Sequence, residues 1–118
     1  MNLEINVNYD GRRFRSISNS RSGEVDSATR FDYHQNGPIV WATYTGGRIR
    51  FGTLIAVADH EGTLDMRYSH VNIDGELATG LCVSRPELLT DGRLRVHEAW
   101  QWTSGDRSTG TSIIEEIV

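Results

Sequence analysis

Residues 92–105, Gly92-Arg-Leu-Arg-Val-His-Glu-Ala-Trp-Gln-Trp-Thr-Ser-Gly105, hold two of the chain's three tryptophans and alternate along most of their length. Leu94, Val96, Trp100 and Trp102 fall on one face, and Arg93, Arg95, His97, Gln101 and Thr103 on the other. A period of two with one apolar face is a half-buried β-strand. Glu98 breaks the pattern, because it lies on the apolar face between Val96 and Trp100. A carboxyl there needs a hydrogen-bonding partner or a proton, and so marks a structural network or a pocket.

Turn signals surround this strand at short, regular intervals: Asp10-Gly11, Ser22-Gly23, Asn36-Gly37-Pro38, Gly46-Gly47, Glu61-Gly62, Asp74-Gly75, Asp91-Gly92 and Ser104-Gly105-Asp106. Such pairs supply the positive φ that tight hairpins require. The intervening segments are rich in β-branched and aromatic residues. They predict strands at residues 12–19, 29–35, 39–45, 49–58, 63–71, 76–84, 93–103 and 110–117. Leu3–Asn8 is either a ninth strand or an N-terminal arm. The one expected helical turn is Arg85–Thr90, where Pro86 suits a first helical position.

Sequential antiparallel strands with one apolar face can split into a sandwich or close on themselves. Closure removes exposed edges, and short hairpins need no long crossover. The expectation is therefore all-β: an eight-stranded up-and-down barrel in a single domain, with residues 1–10 as strand or arm and 11–118 as barrel.

The chain has 118 residues and a formal net charge of −4, and all its basic residues are Arg. That charge opposes nucleic-acid binding, and Arg12, Arg13 and Arg15 read as a solvated strand face. No apolar run is long enough to span a bilayer, and the first ten residues lack the pattern of a signal peptide. The lone Cys82 cannot form an internal disulfide, so a reducing, cytoplasmic setting is expected. His34, His60, His70 and His97 are scattered without metal-ligand spacing, and no nucleophile elbow occurs. No metal, cofactor or dedicated catalytic residue is therefore expected.

Face assignment gives interior rows Phe31, Tyr33, Gln35; Leu64, Met66, Tyr68, His70; and Leu77, Thr79, Leu81, Val83. Aromatic walls with a few polar groups are the chemistry of a ligand site. The alternative is that Tyr68, His70 and Glu98 satisfy one another within a filled core. Leu54, Ala56 and Ala58, with Ala78, Gly80 and Ala99, are expected outside as a flat apolar patch. Such a patch marks a homo-oligomer, most simply a symmetric dimer, or is covered by the N-terminal arm.

Several strings resemble the avidin and streptavidin family of calycin-type, biotin-binding barrels. Trp100-Gln101-Trp102-Thr103-Ser104-Gly105 is similar to that family's penultimate strand, and Ala42-Thr43-Tyr44 to its Gly-Thr-Tyr. Thr63–Asn72 can be laid on its fifth strand, which puts His70 where a pocket Trp is expected. Thr79 falls at a pocket threonine, and Asn19 at the first-strand asparagine. The resemblance implies pocket roles for Asn19, Tyr44, His70, Thr79 and Trp100, and face assignment adds Tyr33, Tyr68, Glu98 and Trp102 to the candidate ligand-binding set. Glu98 adds a carboxylate where the family has a smaller polar group. The last strand, from Ser108, lacks the family's Trp and Asp.

The chain is also similar to short bacterial proteins labelled N-acetylglutamate synthase, through Gly11–Arg15, Tyr44–Gly47 and Trp100–Asp106. Acetyl transfer from a coenzyme calls for an α/β fold with a backbone cradle for pyrophosphate, usually at a helix N-terminus. The strand pattern offers neither. Three readings follow: a small-molecule-binding barrel, an enzyme on that barrel acting on a small acidic or acylated metabolite, and an interaction module with a filled core.

Overall fold

The alternating segments form eight antiparallel strands in the computed structural model, which describes residues 7–118. They are β1 (Arg13–Asn19), β2 (Arg30–Asn36), β3 (Ile39–Gly46), β4 (Ile49–Ala58), β5 (Leu64–Asn72), β6 (Leu77–Leu88), β7 (Leu94–Trp102) and β8 (Thr109–Glu116). Each pairs with the next, and β8 pairs back onto β1, which closes the barrel. Closure pairs every strand on both sides over most of its length and so removes the long open edges of a sheet. The expected ninth strand falls mostly outside the described residues, and Val7 and Asn8 belong to no strand.

The expected helical turn at Arg85–Thr90 is corrected to strand. Pairing of β6 with β5 ends at Leu64 opposite Ser84, whereas pairing with β7 continues to Leu88 opposite Leu94. Among the described residues, 85–88 are thus bonded on one side only, and a proline without an N–H is tolerated at such an edge.

Two faces are also corrected. In β4, Leu54, Ala56 and Ala58 are buried, and Phe51, Ile55 and Val57 point out. In β6, Ala78, Gly80, Cys82 and Ser84 point in, and Leu77, Thr79, Leu81 and Val83 point out. Inside β6 the space is already taken, because Tyr68 and Met66 of β5 stand directly opposite Gly80 and Cys82. Small residues must face the interior there, which inverts a reading based on side-chain size.

One half of the barrel is filled. Phe14, Tyr33, Val40, Leu64, Leu94, Val96 and Ile114 are all essentially inaccessible to water. The β2–β3, β4–β5 and β6–β7 turns lie at this end, and Tyr9 plugs it. Tyr9 is 0 % exposed, stacks on Tyr33 at 5.7 Å, and donates its hydroxyl to the Gly62 carbonyl at 2.6 Å. Its backbone N–H donates to Oε1 of Gln35 at 2.8 Å, so the inward turn expected for Gln35 serves the plug.

Outside the barrel, β3 and β4 carry an apolar face of Ile39, Trp41, Ile55 and Val57, paired as Ile39 opposite Val57 and Trp41 opposite Ile55. Trp41 and Ile55 are 41 % and 59 % exposed, and His34 stacks on Trp41. An apolar outer face therefore exists, but in β4 through Ile55 and Val57 rather than Leu54, Ala56 and Ala58, and of the expected patch Ala99 points out while Ala78 and Gly80 point in.

Tyr9→Ala should open the plugged end and remove a buried aromatic ring together with its hydrogen bond. A loss of about 3–5 kcal/mol in urea-unfolding free energy is expected.

Candidate functional site: an aromatic-walled cavity

The other half of the barrel is open, and three cross-strand pairs keep it so. Tyr44 stands opposite Gly52, Tyr68 opposite Gly80 and Trp100 opposite Gly110. A Cβ at any of these glycines would lie 2.2–2.3 Å from the ring of its partner. Each ring therefore lies flat across its neighbouring strand, along the wall of the barrel. Glycine in a strand interior weakens the sheet locally and is found where another group must approach this closely.

The rings enclose a cavity of about 60 Å³. That is room for more than one water molecule. It is small beside the roughly 300–1,000 Å³ of a pocket for a drug-sized ligand. Trp100 and Trp102 form a tilted pair at 5.6 Å, Tyr68 meets Trp102 edge-on at 5.7 Å, and Phe31 stacks on Tyr44 at 5.0 Å. Leu54, Met66 and Cys82 complete the apolar lining.

Glu98 lies where the filled half meets the open half. Its Oε1 accepts a hydrogen bond from the Ser112 hydroxyl at 2.7 Å. Desolvation in this interior pushes its carboxyl up to about 7, against an opposing pull from the Ser112 hydrogen bond. The burial of Cys82 likewise pushes its thiol up to about 12, so it stays protonated and poorly nucleophilic.

The β1–β2 connection, Ser20–Thr29, leans over the mouth. Asn19 Nδ2 donates to the Val25 carbonyl at 2.9 Å, and Trp102 Nε1 donates to the Ser22 carbonyl at 3.1 Å. Glu24 reaches back into the barrel, where its Oε1 meets His70 Nε2 at 2.8 Å and its Oε2 accepts from Asn72 Nδ2 at 2.8 Å. Burial alone would raise the Glu24 carboxyl, but the hydrogen bonds from His70 and Asn72 outweigh it and hold the group below its ordinary range. A carboxylate only accepts, so His70 carries its proton on Nε2. In the neutral ring Nδ1 then accepts from the Tyr44 hydroxyl at 2.9 Å.

The structure brings together most of the residues singled out in the sequence. Asn19, Tyr44, Tyr68, His70, Glu98, Trp100 and Trp102 all line the cavity. Asn19 does so through a second bond, its Oδ1 accepting from Trp100 Nε1 at 3.1 Å. Tyr33 lies below, packed between Tyr9 and Phe14, and its buried hydroxyl has no hydrogen-bond partner among the described residues. Thr79 is corrected to the outer face at the rim, where its hydroxyl meets that of Thr103 at 2.8 Å. Glu24 escaped the sequence reading, since a lone acid in a serine-rich turn carries no periodic signal. Among the described residues no group of three or more His, Cys, Asp or Glu is placed to hold a metal ion, and no helix is long and apolar enough to cross a membrane.

The family model for avidin-like protein matches residues 7–117. The chain belongs to the avidin-like family. No curated protein and no solved structure matches it. In this avidin-like barrel the matched region takes in every strand, the plug at Tyr9 and the loop over the mouth.

The raised Glu98 carboxyl has a consequence for stability. Its folded value of about 7 lies above the ordinary 4.5, so the folded avidin-like barrel holds a proton there that the unfolded chain releases. The contribution is fully present below about pH 4.5 and is lost as pH rises through about 7, up to about 3 kcal/mol. Glu98→Gln should remove this fall while leaving acid unfolding in place, as measured by urea titration at steps across pH 4.5–8.

Proposed function

We propose that the protein binds a small molecule in the upper half of its barrel. The observation that carries this reading is the open, aromatic-walled cavity beneath Ser20–Thr29, with one carboxyl at its floor. Placing three rings flat over glycines maintains space where larger side chains would fill a core. The family membership supports small-molecule binding as a class of activity. The ligand-contacting set in this proposal is Asn19, Tyr44, Tyr68, His70, Glu98, Trp100 and Trp102, with Glu24 added from the loop. Tyr33 supports it from below, and Thr79 is left out.

A thermal-shift screen of a metabolite panel, read in parallel by tryptophan fluorescence, tests the reading. A ligand at about a hundred times its dissociation constant adds roughly 2.7 kcal/mol, a shift of several degrees for this size of domain. Binding should quench Trp100 and Trp102. Gly80→Val is the control, because it drives the Tyr68 ring into the cavity and should abolish the shift while the protein remains folded.

A second reading, an enzyme on the same cavity, is favoured by one observation, the Glu24–His70–Tyr44 chain of hydrogen bonds. Such a chain can hold or pass a proton at the cavity wall. His70→Ala with binding retained and product formation lost would select this reading. An acidic metabolite sits poorly beside Glu24 and Glu98, so acylated neutral compounds are its better substrates.

The self-association expected from an apolar patch passes to Ile39, Trp41, Ile55 and Val57, and a symmetric dimer through that face belongs to this proposal. Trp41→Glu should shift sedimentation from dimer to monomer without loss of ligand binding. The reduced, buried Cys82 fits a cytoplasmic setting for both activities.

A further inference from the structure

The polar atoms around the cavity are largely committed to one another. Asn19 is used at both ends of its amide, by Trp100 and by the Val25 carbonyl. The indole N–H groups, both His70 nitrogens and both Glu24 oxygens are likewise taken. Glu98 differs: its Oε1 accepts from Ser112, and its Oε2 has no hydrogen-bond partner among the described residues. The Tyr68 hydroxyl also has no partner among the described residues, but it is neutral. Glu98 Oε2 is thus the free acceptor able to carry a full negative charge, in a cavity walled mainly by rings and aliphatic carbon and otherwise by polar groups already bonded to one another.

That arrangement selects among ligand charges. No arginine lines the cavity among the described residues, and the chain contains no lysine. An anionic ligand would be desolvated beside Glu98 and Glu24 with no counter-charge. A purely apolar one would leave the carboxyl buried and unanswered, a cost that buried polar groups do not escape. A cation is favoured twice, by the carboxylate and by the negative faces of the rings.

We propose that the ligand is a small organic cation, a primary ammonium or an amidinium on a short apolar body, with Glu98 as its counter-ion and Trp100, Trp102 and Tyr68 as an aromatic cage. The assignment rests on the ligand-binding reading given above and names its chemistry. Upon binding, the cationic N–H groups donate to Glu98 Oε2, and the apolar body fills the space over Leu54 and Met66. The other titratable groups around the cavity do not compete for this role: His70 is held between the Tyr44 hydroxyl and the Glu24 carboxylate. Tyr9, Tyr33, Tyr44 and Tyr68 are all raised by burial, as is Cys82, and stay neutral around pH 7. Glu24, held at the mouth, stays ionised.

The test uses three probes of similar size: propylammonium, propanol and propionate, titrated to about 50 mM in amine-free phosphate buffer, because fragments this small bind weakly. Tryptophan fluorescence and melting temperature are read together. Propylammonium should bind at least tenfold more tightly than propanol at pH 8, and propionate should not bind. Glu98→Gln should lose that preference. Propylammonium is charged throughout, so its affinity should fall about tenfold between pH 8 and pH 6 as Glu98, with its carboxyl at about 7, takes up a proton. Should Glu98→Gln fail to fold, Trp102→Leu removes one π face and should weaken propylammonium several-fold more than it weakens propanol, narrowing the preference between them. Propanol or propionate binding as tightly as propylammonium, or an unchanged preference in the variants, overturns the cation assignment and leaves the cavity a ligand site. Silence from all three probes, with the fold intact, overturns both.

Discussion

Tyr44, Tyr68 and Trp100 each need a hydrogen atom where the opposite strand would otherwise place a side chain, and the register of the barrel supplies it three times. These contacts fix strand pairing as firmly as any hydrogen bond, because a slip of one residue would drive a Cβ into a ring. The same contacts decide which side chains of β6 face inward. They also hold the rings against the wall, so that the upper half stays hollow while the lower half, built from Phe14, Tyr33, Leu94, Val96 and Ile114, is filled. Every feature of the cavity follows from that division.

Glu98 gains its character from lying at the boundary. Below it Tyr33, Leu94, Val96 and Ile114 are buried, and above it the walls are mostly ring and aliphatic carbon. Among the described residues its one hydrogen bond comes from Ser112 of the neighbouring strand. A carboxyl so placed sits between its two protonation states near neutral pH, whereas Glu24, with His70 and Asn72 as donors, is held ionised at the mouth. Two acids separated by a few layers of barrel thus carry different charges for reasons that lie wholly in their partners.

Strand positions and closure were legible because alternation and turn glycines are local signals. So was the convergence of Trp100, Trp102, Tyr68, His70 and Glu98, which follows once their strands have a common inward face. Thr79 and the Leu54 row were misread for one reason. Apolar bulk marks the interior in most strands, yet in β6 the interior is spoken for by Tyr68, and in β4 both faces are apolar. The deciding residues were Gly52, Gly80 and Gly110, whose meaning appears only when paired with the ring across the ladder. Pro86 suggested a helical start because its freedom from a β5 partner depends on where β5 stops. Glu24 required the path of a loop, which no periodicity encodes.

Among the described residues, the plug at Tyr9 closes one end of the barrel and leaves a mouth at the other, in which the Ser20–Thr29 loop stands. Anything held inside leaves past that loop, which is tied down through Asn19, Trp102, His70 and Asn72. How long an occupant stays is then governed by how often those ties release together, separately from how well the cavity fits it. Residence time and affinity become independently adjustable properties, the first written in the loop and the second in the strands.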